Sequence, residues 1–395
     1  VRIAITSNAP WAATGYGVQV AELSKQLKAD NHQTAIMANY GLAGTTLNWN
    51  GIDVFQQGME AYSNDLTPAQ MDWWLALDKS KPGLALTLYD VWVYGAPQWD
   101  TLPIASWTPI DHKGVPHGVK AWFQRKGNGK WAIAMSRFGE QELLEAGVER
   151  DRLFYAPHSF DPAVYKPTPS DVRKQLNVPE DAHLTMINSA NKGTTPVRKS
   201  WGEMLTAWSK WAKDRDDAYL YIHSDAFGVA QGVKLDALLQ DVGASVNRVR
   251  IVPQFEYRMG IPAETLAKLY STADVLLMTS KGEGFGVPLI EAQACATPII
   301  ATDWTAMTEL CGSGWLVDGQ EEYDALQGGW WKTPSVPKIM EALQASYEQK
   351  EGSEARKLAR QKAVDFAQDY ATPVVYDTHW RPILKELEGR LPAKP

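Results

Sequence analysis

Cysteine is nearly missing from this chain, which has two, Cys295 and Cys311, among 395 residues. Two cannot build a disulfide scaffold, and neither has a Cys or His at zinc-ligand spacing, so buried free thiols are expected. Positive charge is also short, with 39 Lys plus Arg against 46 Asp plus Glu and a formal charge of −7. Such a chain has no long-range field drawing it to nucleic acid or anionic lipid, which leaves only a local basic groove open. Long apolar runs are absent. The best, Leu84 to Pro97, contains Asp90 and is shorter than the roughly 20 residues needed to cross a bilayer. The opening Val1-Arg2-Ile3-Ala4-Ile5-Thr6 lacks the basic segment, apolar segment and cleavage site of a secretion signal and reads as a strand, so a cytoplasmic location is the default expectation. No fixed-period repeat or low-complexity tract is present.

What is there is an ordinary globular composition, 45% hydrophobic and 22% charged. The length exceeds the roughly 250–300 residues at which one core stops growing, so two domains are expected. Short β-branched or aromatic runs alternate with helix-period segments, the pattern of parallel sheets covered by helices. This is an α/β protein. Strands are expected near Arg2–Ser7, Gln33–Ala38, Ile52–Gln56, Leu84–Tyr89, Ile104–Ile110, Trp131–Met135 and Leu153–Ala156, with helices at Val18–Lys28 and Phe138–Ala146, the latter stopped by Gly147. Tyr165-Lys166-Pro167-Thr168-Pro169 interrupts the series, because two prolines forbid a continuous element. A second alternation follows, with strands near Leu184–Ser189, Ala218–His223, Arg248–Val252, Val275–Thr279, Pro298–Thr302 and Trp315–Val317, and helices at Trp201–Trp211, Lys234–Val242, Glu264–Ser271 and Val287–Ala296. Two Rossmann-like halves are implied, 1–166 and 167–372. After Pro337 the sequence turns helical, ending with Thr378–Leu387 ahead of a polar tail from Leu391 to Pro395.

The most informative segment runs from Ser280 to Pro298. It leaves a strand, passes Gly282, Gly284 and Gly286, and enters a helix with Pro288 in the first turn, where proline fits. Glycines allow a ligand close to the backbone, and free amides at a helix start bind anions, so the segment is a candidate phosphate cradle. Glu283 lies in the loop and Glu291 one turn into the helix. An ionised carboxylate accepts two hydrogen bonds, which suits vicinal hydroxyls of a ribose or hexose. The competing account makes Glu291 a helix-dipole partner and Glu283 a solvated loop charge.

Glu283, seven residues and then Glu291, within Glu-Gly-Phe-Gly-x-Pro-x-x-Glu-Ala and followed by Pro298-Ile299-Ile300, resembles the signature of retaining glycosyltransferase family 4 and its GT-B relatives. The resemblance implies the GT-B fold, two Rossmann-like domains whose parallel sheets face a central cleft. It gives 1–166 to an acceptor, 167–372 to a nucleotide-sugar donor, and returns a last helix, about 373–395, to the first domain. It puts Glu283 on the donor sugar and Glu291 on the ribose, beside Gly284, Phe285 and Gly286. Ala296 departs from the family's usual glycine.

Asn191-Lys192-Gly193-Thr194-Thr195-Pro196-Val197-Arg198-Lys199 gathers basic side chains at the entrance to the helix at Trp201. Fixed cations there would stabilise the charge that grows on a diphosphate leaving group. In the resembling family an Arg and a Lys do this without a metal. Lys199 matches the lysine; the usual Gly-Arg is replaced by Asn191-Lys192, so either Lys192 or Arg198 fills the arginine's place. A solvated basic loop is the bland alternative.

Thr14-Gly15-Tyr16-Gly17 looks dinucleotide-like between the first strand and first helix, yet about seven residues separate it from the strand, Val20 stands where a third glycine is needed, and the second strand ends at Asn39-Tyr40 without an acid. A nicotinamide site is excluded. By resemblance Gly15 and Gly17 are candidates to approach the donor phosphate and acceptor, with a flexible loop as the alternative. Asp111 and His112 close another first-half strand, where open α/β sheets bind ligands, and the family often has such a residue near the donor sugar. Glu309 matches a further family acid. Trp92, Trp99, Trp107 and Trp122 lie where an acceptor would sit; their faces stack on sugars and bases, though most tryptophans serve as packing.

The resemblance therefore implies a retaining, metal-independent hexosyltransferase that needs no cofactor beyond a nucleotide diphosphate sugar as co-substrate. Its acceptor is open between glycan, lipid, protein and a modified nucleic acid base. A GT-B-like sugar-nucleotide epimerase and a non-catalytic sugar-nucleotide binding module are the other readings.

Overall fold

The computed structural model describes residues 1–125, 127, 129–193, 197–349 and 352–391. Thr194, Thr195 and Pro196 of the basic loop, and the tail from Pro392, lie outside the described residues. The chain divides into two compact units, one formed by Val1–Ser159, Asp324–Gly329 and the chain from Thr372 onward, the other by Phe160–Tyr323 and Trp330–Ala371.

The first unit is built on β1 (Arg2–Asn8), β2 (Gln33–Tyr40), β3 (Leu47–Trp49), β4 (Ile52–Phe55), β5 (Gly83–Leu88), β6 (Ile104–Thr108), β7 (Trp131–Ala134) and β8 (Leu153–Tyr155). They form one sheet in the order β3-β4-β2-β1-β5-β6-β7-β8, parallel except where β3 runs against β4. β1 is buried along its whole length, its apolar Ile3-Ala4-Ile5 centre and its polar carboxyl end Thr6-Ser7-Asn8 alike, as a central strand of a sheet covered on both faces must be. Helices Gly15–Ala29, Thr67–Ala76, His117–Gln124 and Arg137–Glu145 connect strands, and Gly147, at φ +90°, ends the last of these in the left-handed conformation that glycine tolerates. Trp99, Trp107 and Trp122 are buried in this unit, so three of the four tryptophans expected near an acceptor are packing residues, whereas Trp92 is 49% exposed. The helix Arg381–Arg390 groups with this unit, preceded by a π-helical turn, Tyr376–Trp380, whose Trp380 packs edge-on to Trp107 at 4.8 Å.

The second unit carries β9 (His183–Asn188), β10 (Ala218–His223), β11 (Val249–Ile251), β12 (Val275–Met278), β13 (Ile299–Thr302) and β14 (Gly314–Val317), a parallel sheet in the order β11-β10-β9-β12-β13-β14. The core under it is rich in tryptophan, with Trp201, Trp208 and Trp211 on one face of the helix Trp201–Ala212. β15 (Gly319–Asp324) and β16 (Gly329–Pro334) pair in a separate two-stranded sheet. Among the described residues, no helix is long and apolar enough to cross a membrane.

Among the parallel strands of each sheet the order reverses once, between β1 and β5 in the first and between β9 and β12 in the second. Loops leaving the carboxyl ends of such a strand pair splay to opposite faces and open a crevice, where α/β sheets bind ligands.

Candidate functional site

At the reversal point of the second sheet, the loop after β9 supplies Arg198 and Lys199 and the loop after β12 supplies Glu283. Lys199 Nζ donates to Glu283 Oε1, and Arg198 Nη1 donates to Glu283 Oε2 at 3.0 Å and to the Gly282 carbonyl at 2.6 Å. The loops are also joined by backbone, since the Lys281 amide donates to the Arg198 carbonyl at 2.8 Å. Burial alone would raise the Glu283 carboxyl, but Lys199 and Arg198 outweigh it and hold the group at about 2. Lys199 is pushed down to about 8, first by burial and then by Arg198 and Lys192, against the pull of Glu283. Lys192 is thus near enough to act on Lys199 by charge, while Arg198 is the cation that pairs with the carboxylate. Lys192 itself bridges to Ala230, and Asn191 pins that segment by accepting from the Val233 amide at 2.8 Å and donating to the Asp225 and Val233 carbonyls.

Thr305, which sequence reasoning missed, holds the Glu283 backbone: its hydroxyl accepts from the Glu283 amide at 3.0 Å, and its own φ of +53° is a conformation few threonines adopt. Gly286 precedes the helix Val287–Ala294 at φ +113°, and a Cβ there would meet Leu289 Cδ1 at 3.0 Å, so glycine is required where the loop turns into the helix. Gly284 and Phe285 are buried in the same loop, Phe285 with its ring 5.8 Å from Tyr370. Glu309 ends the short helix Ala306–Glu309 and is half-buried.

Glu291 has partners of its own. The Tyr270 hydroxyl donates to its Oε2 at 3.0 Å, Tyr165 hydrogen-bonds to it as well, and Asn188 at the end of β9 donates to Tyr270 at 2.6 Å. Enclosed this way, the carboxyl is raised to about 7 by burial, against the two tyrosines. The tyrosines lie far away in sequence, and no local signal marked them. Both cysteines are free, with burial pushing Cys295 up to about 12 and Cys311 to about 11.

In the first unit, Gly15 and Gly17 are not in a loop. Both stand in the first turn of the helix Gly15–Ala29, capped by Thr14, whose hydroxyl accepts from the Gly17 amide at 3.1 Å. Gly17 is there for packing, because a Cβ would lie 2.3 Å from the Ala12 carbonyl oxygen, whereas one on Gly15 would meet nothing within 4 Å. His112 is wholly buried, with Nδ1 2.7 Å from Asp111 and Nε2 3.2 Å from Asp324. Both ring nitrogens are thereby engaged, and the ring ties the two carboxylates together. Asp111 keeps 23% of its side chain exposed.

Among the described residues, no group of three or more His, Cys, Asp or Glu is gathered as a metal site.

Residues 193–327 match the family model of group 1 glycosyl transferases, which spans the Glu283 to Glu291 segment from which the resemblance was read. Among curated relatives, D-inositol 3-phosphate glycosyltransferase of Paenarthrobacter aurescens is 28% identical over 190 residues, 45% of this chain and 42% of that protein. The serotype-specific mannosyltransferase WbdA of Escherichia coli is 29% identical over 162 residues, 40% of this chain and 17% of that one. The matches thus span less than half the length of these relatives. Sucrose-phosphate synthase from Thermosynechococcus elongatus superposes with a TM-score of 0.73 at 17% identity, covering 98% of this chain and 99% of that one. HepE of Anabaena, solved in complex with UDP-glucose, gives 0.70 at 16% identity over 97% and 99% of the two chains. At these identities the likeness shows the fold, which is GT-B.

Proposed function

We propose that this chain is a retaining glycosyltransferase that takes a hexose from a nucleotide diphosphate sugar without a metal ion and passes it to an acceptor. The observation that carries the reading is the pairing of Arg198 and Lys199 with Glu283 at the reversal point of the second sheet, beside the glycine-led start of the helix Val287–Ala294. A diphosphate placed there competes with Glu283 for the two cations and meets the amides of the helix start. Glu283, released from them, accepts from hydroxyls of the donor sugar. As the glycosidic bond breaks, negative charge builds on the departing phosphate, and Lys199 and Arg198 stabilise that charge more than they stabilise the bound ground state. The acceptor hydroxyl attacks the face from which the phosphate leaves and gives its proton to that phosphate. Glu291, once ionised, accepts from the ribose hydroxyls.

The test is a panel of UDP-, GDP- and ADP-sugars scored first by thermal stabilisation and then by turnover with and without EDTA, with the anomeric configuration of the product read by NMR. Stabilisation by one donor, EDTA-insensitive turnover and a retained anomer are expected. Epimerisation of the donor with no acceptor present, an inverted anomer, or binding that never leads to turnover would each defeat the proposal.

A further inference from the structure

The first sheet has a reversal point of its own, between β1 and β5, and it is furnished quite differently from the second. Tyr16 follows β1 and Tyr89 follows β5, with ring centroids 5.2 Å apart. Tyr62 packs on Tyr89 at 5.6 Å, and Trp92 on Tyr62 at 6.4 Å, so four rings form a continuous ladder across the carboxyl ends of the strands. Two adjacent members are open, Tyr62 at 37% and Trp92 at 49% exposure.

The ladder is held in place at a cost. Tyr62 and Ser63 both sit at positive φ, +57° and +55°, a conformation that side-chain-bearing residues rarely adopt. The surrounding loop enforces it: the Ser63 hydroxyl accepts from the Gly58 amide at 3.0 Å, Asp65 accepts from the Met59 and Glu60 amides, and Asn64 donates to the Val93 carbonyl at 2.9 Å while accepting from Trp99 Nε1 at 2.8 Å. Burial, with Tyr62 and Asp90 nearby, pushes the Tyr89 phenol up to about 12, so its hydroxyl stays protonated and able to donate.

The charge around these rings is one-sided. No Lys or Arg occurs from residue 3 to 24, from 29 to 78, or from 82 to 112, the stretches that carry all four rings. Asp90, Glu60 and Asp65 stand in them. Lys120, on the neighbouring helix His117–Gln124, acts on Glu142, and Arg125 is spent on the Tyr94 carbonyl and Asp100. A phosphate-bearing ligand meets like charge from the acids of these stretches. Rigid aromatic faces edged by hydroxyls suit instead an uncharged molecule with alternating C–H faces and hydroxyls.

We infer that Tyr16, Tyr89, Tyr62 and Trp92 form a stacking site for a neutral saccharide. The identification of that saccharide as the acceptor's sugar rests on the glycosyltransferase reading; the site itself does not.

The experiment titrates the full chain with maltotriose, cellotriose and mannotriose, following tryptophan fluorescence and calorimetric heat, with a single-stranded oligonucleotide and phosphatidylglycerol vesicles as rivals. At least one trisaccharide should bind. Trp92→Ala and Tyr62→Gly should each weaken it at least about tenfold, while Trp73→Ala, which removes an exposed ring packed on Phe55, should not. Tyr62→Gly is the decisive variant, since glycine suits φ +57° and should leave the melting temperature unchanged or higher while binding is lost. The proposal is overturned if no trisaccharide binds, if binding survives both ladder variants, or if the oligonucleotide or vesicles bind through the ladder instead. Donor stabilisation by nucleotide sugars, measured on the same variants, should be unchanged. Its absence in the native chain alongside intact trisaccharide binding would sink the transferase reading and leave this site standing.

Discussion

Lys199 donates to a carboxylate oxygen of Glu283, 84 positions further along the chain, and both side chains are largely removed from solvent, 12% and 8% exposed. Arg198 occupies the other oxygen. Removing the carboxylate therefore strands two cations in a poorly solvated place, which typically costs about 3–5 kcal/mol. Glu283→Gln should lower the urea midpoint by an amount of that order, Lys199→Met by less because Arg198 still neutralises Glu283, and the double variant should regain part of the loss. Additive losses across this cycle would mean that the pair is not coupled. On the proposed function, each single variant should also reduce donor turnover by about 10²–10³.

Lys199 gives that cluster an alkaline limit with opposite signs for stability and activity. Burial lowers its folded value to about 8 from 10.5, so the unfolded chain holds the proton longer as pH rises. Stability from this group therefore increases between about pH 8 and 10.5. Turnover that depends on the cation falls over the same interval. Parallel unfolding and rate profiles across it should diverge in the native chain, and the divergence should be missing in Lys199→Arg, whose guanidinium keeps its charge. Profiles that fall together would refute this assignment.

Most strands were legible because each is a compact β-branched or aromatic run, and β10 coincides with its expected Ala218–His223. Two of the strands that escaped were short or polar. β3 is three residues long, and β15, Gly-Gln-Glu-Glu-Tyr-Asp, has no alternating apolar face. The helix Thr67–Ala76 was hidden by its composition, apolar nearly all round with Trp73 and Trp74 side by side. In the candidate site, Arg198, Lys199 and Glu283 could be named because motif resemblance marks their loops, and β9 and β12, which those loops leave, are neighbours in the sheet although β10 and β11 lie between them in the chain. The partners of Glu291 could not, because Tyr165 and Tyr270 reach it only through tertiary packing, and the pairing of His112 with Asp324 spans 212 positions.

The two helix-start glycines should separate cleanly. Gly17→Ala drives a Cβ to 2.3 Å from a backbone carbonyl, a contact that only movement of the chain can relieve. It should cost about 1–3 kcal/mol. Gly15→Ala meets open space and removes backbone freedom from the unfolded chain, so it should stabilise by about 0.4–1 kcal/mol. Melting temperatures decide between them. Should Gly15→Ala also weaken turnover in a protein of undiminished stability, a ligand approaches the backbone at that point.

Glu291 supplies the acidic counterpart to Lys199. Its folded value is raised from 4.5 to about 7, so between those values the native state retains a proton that the unfolded chain has lost. Stability from this group is fully present below about 4.5 and declines as pH climbs through about 7, by about 3 kcal/mol in all. Glu291→Gln preserves an acceptor for Tyr270 and removes the titration, so denaturation midpoints of the variant should be flatter with pH over that interval. If Glu291 also accepts from a donor's ribose, the ionised form is the one that binds. Donor affinity in the native chain should then rise with pH up to about 7 while global stability from this residue falls, and binding should release a proton, measurable as a buffer-dependent heat. An affinity that is independent of pH and a heat that does not change between buffers would remove Glu291 from the donor site and leave it as a buried partner of Tyr165 and Tyr270.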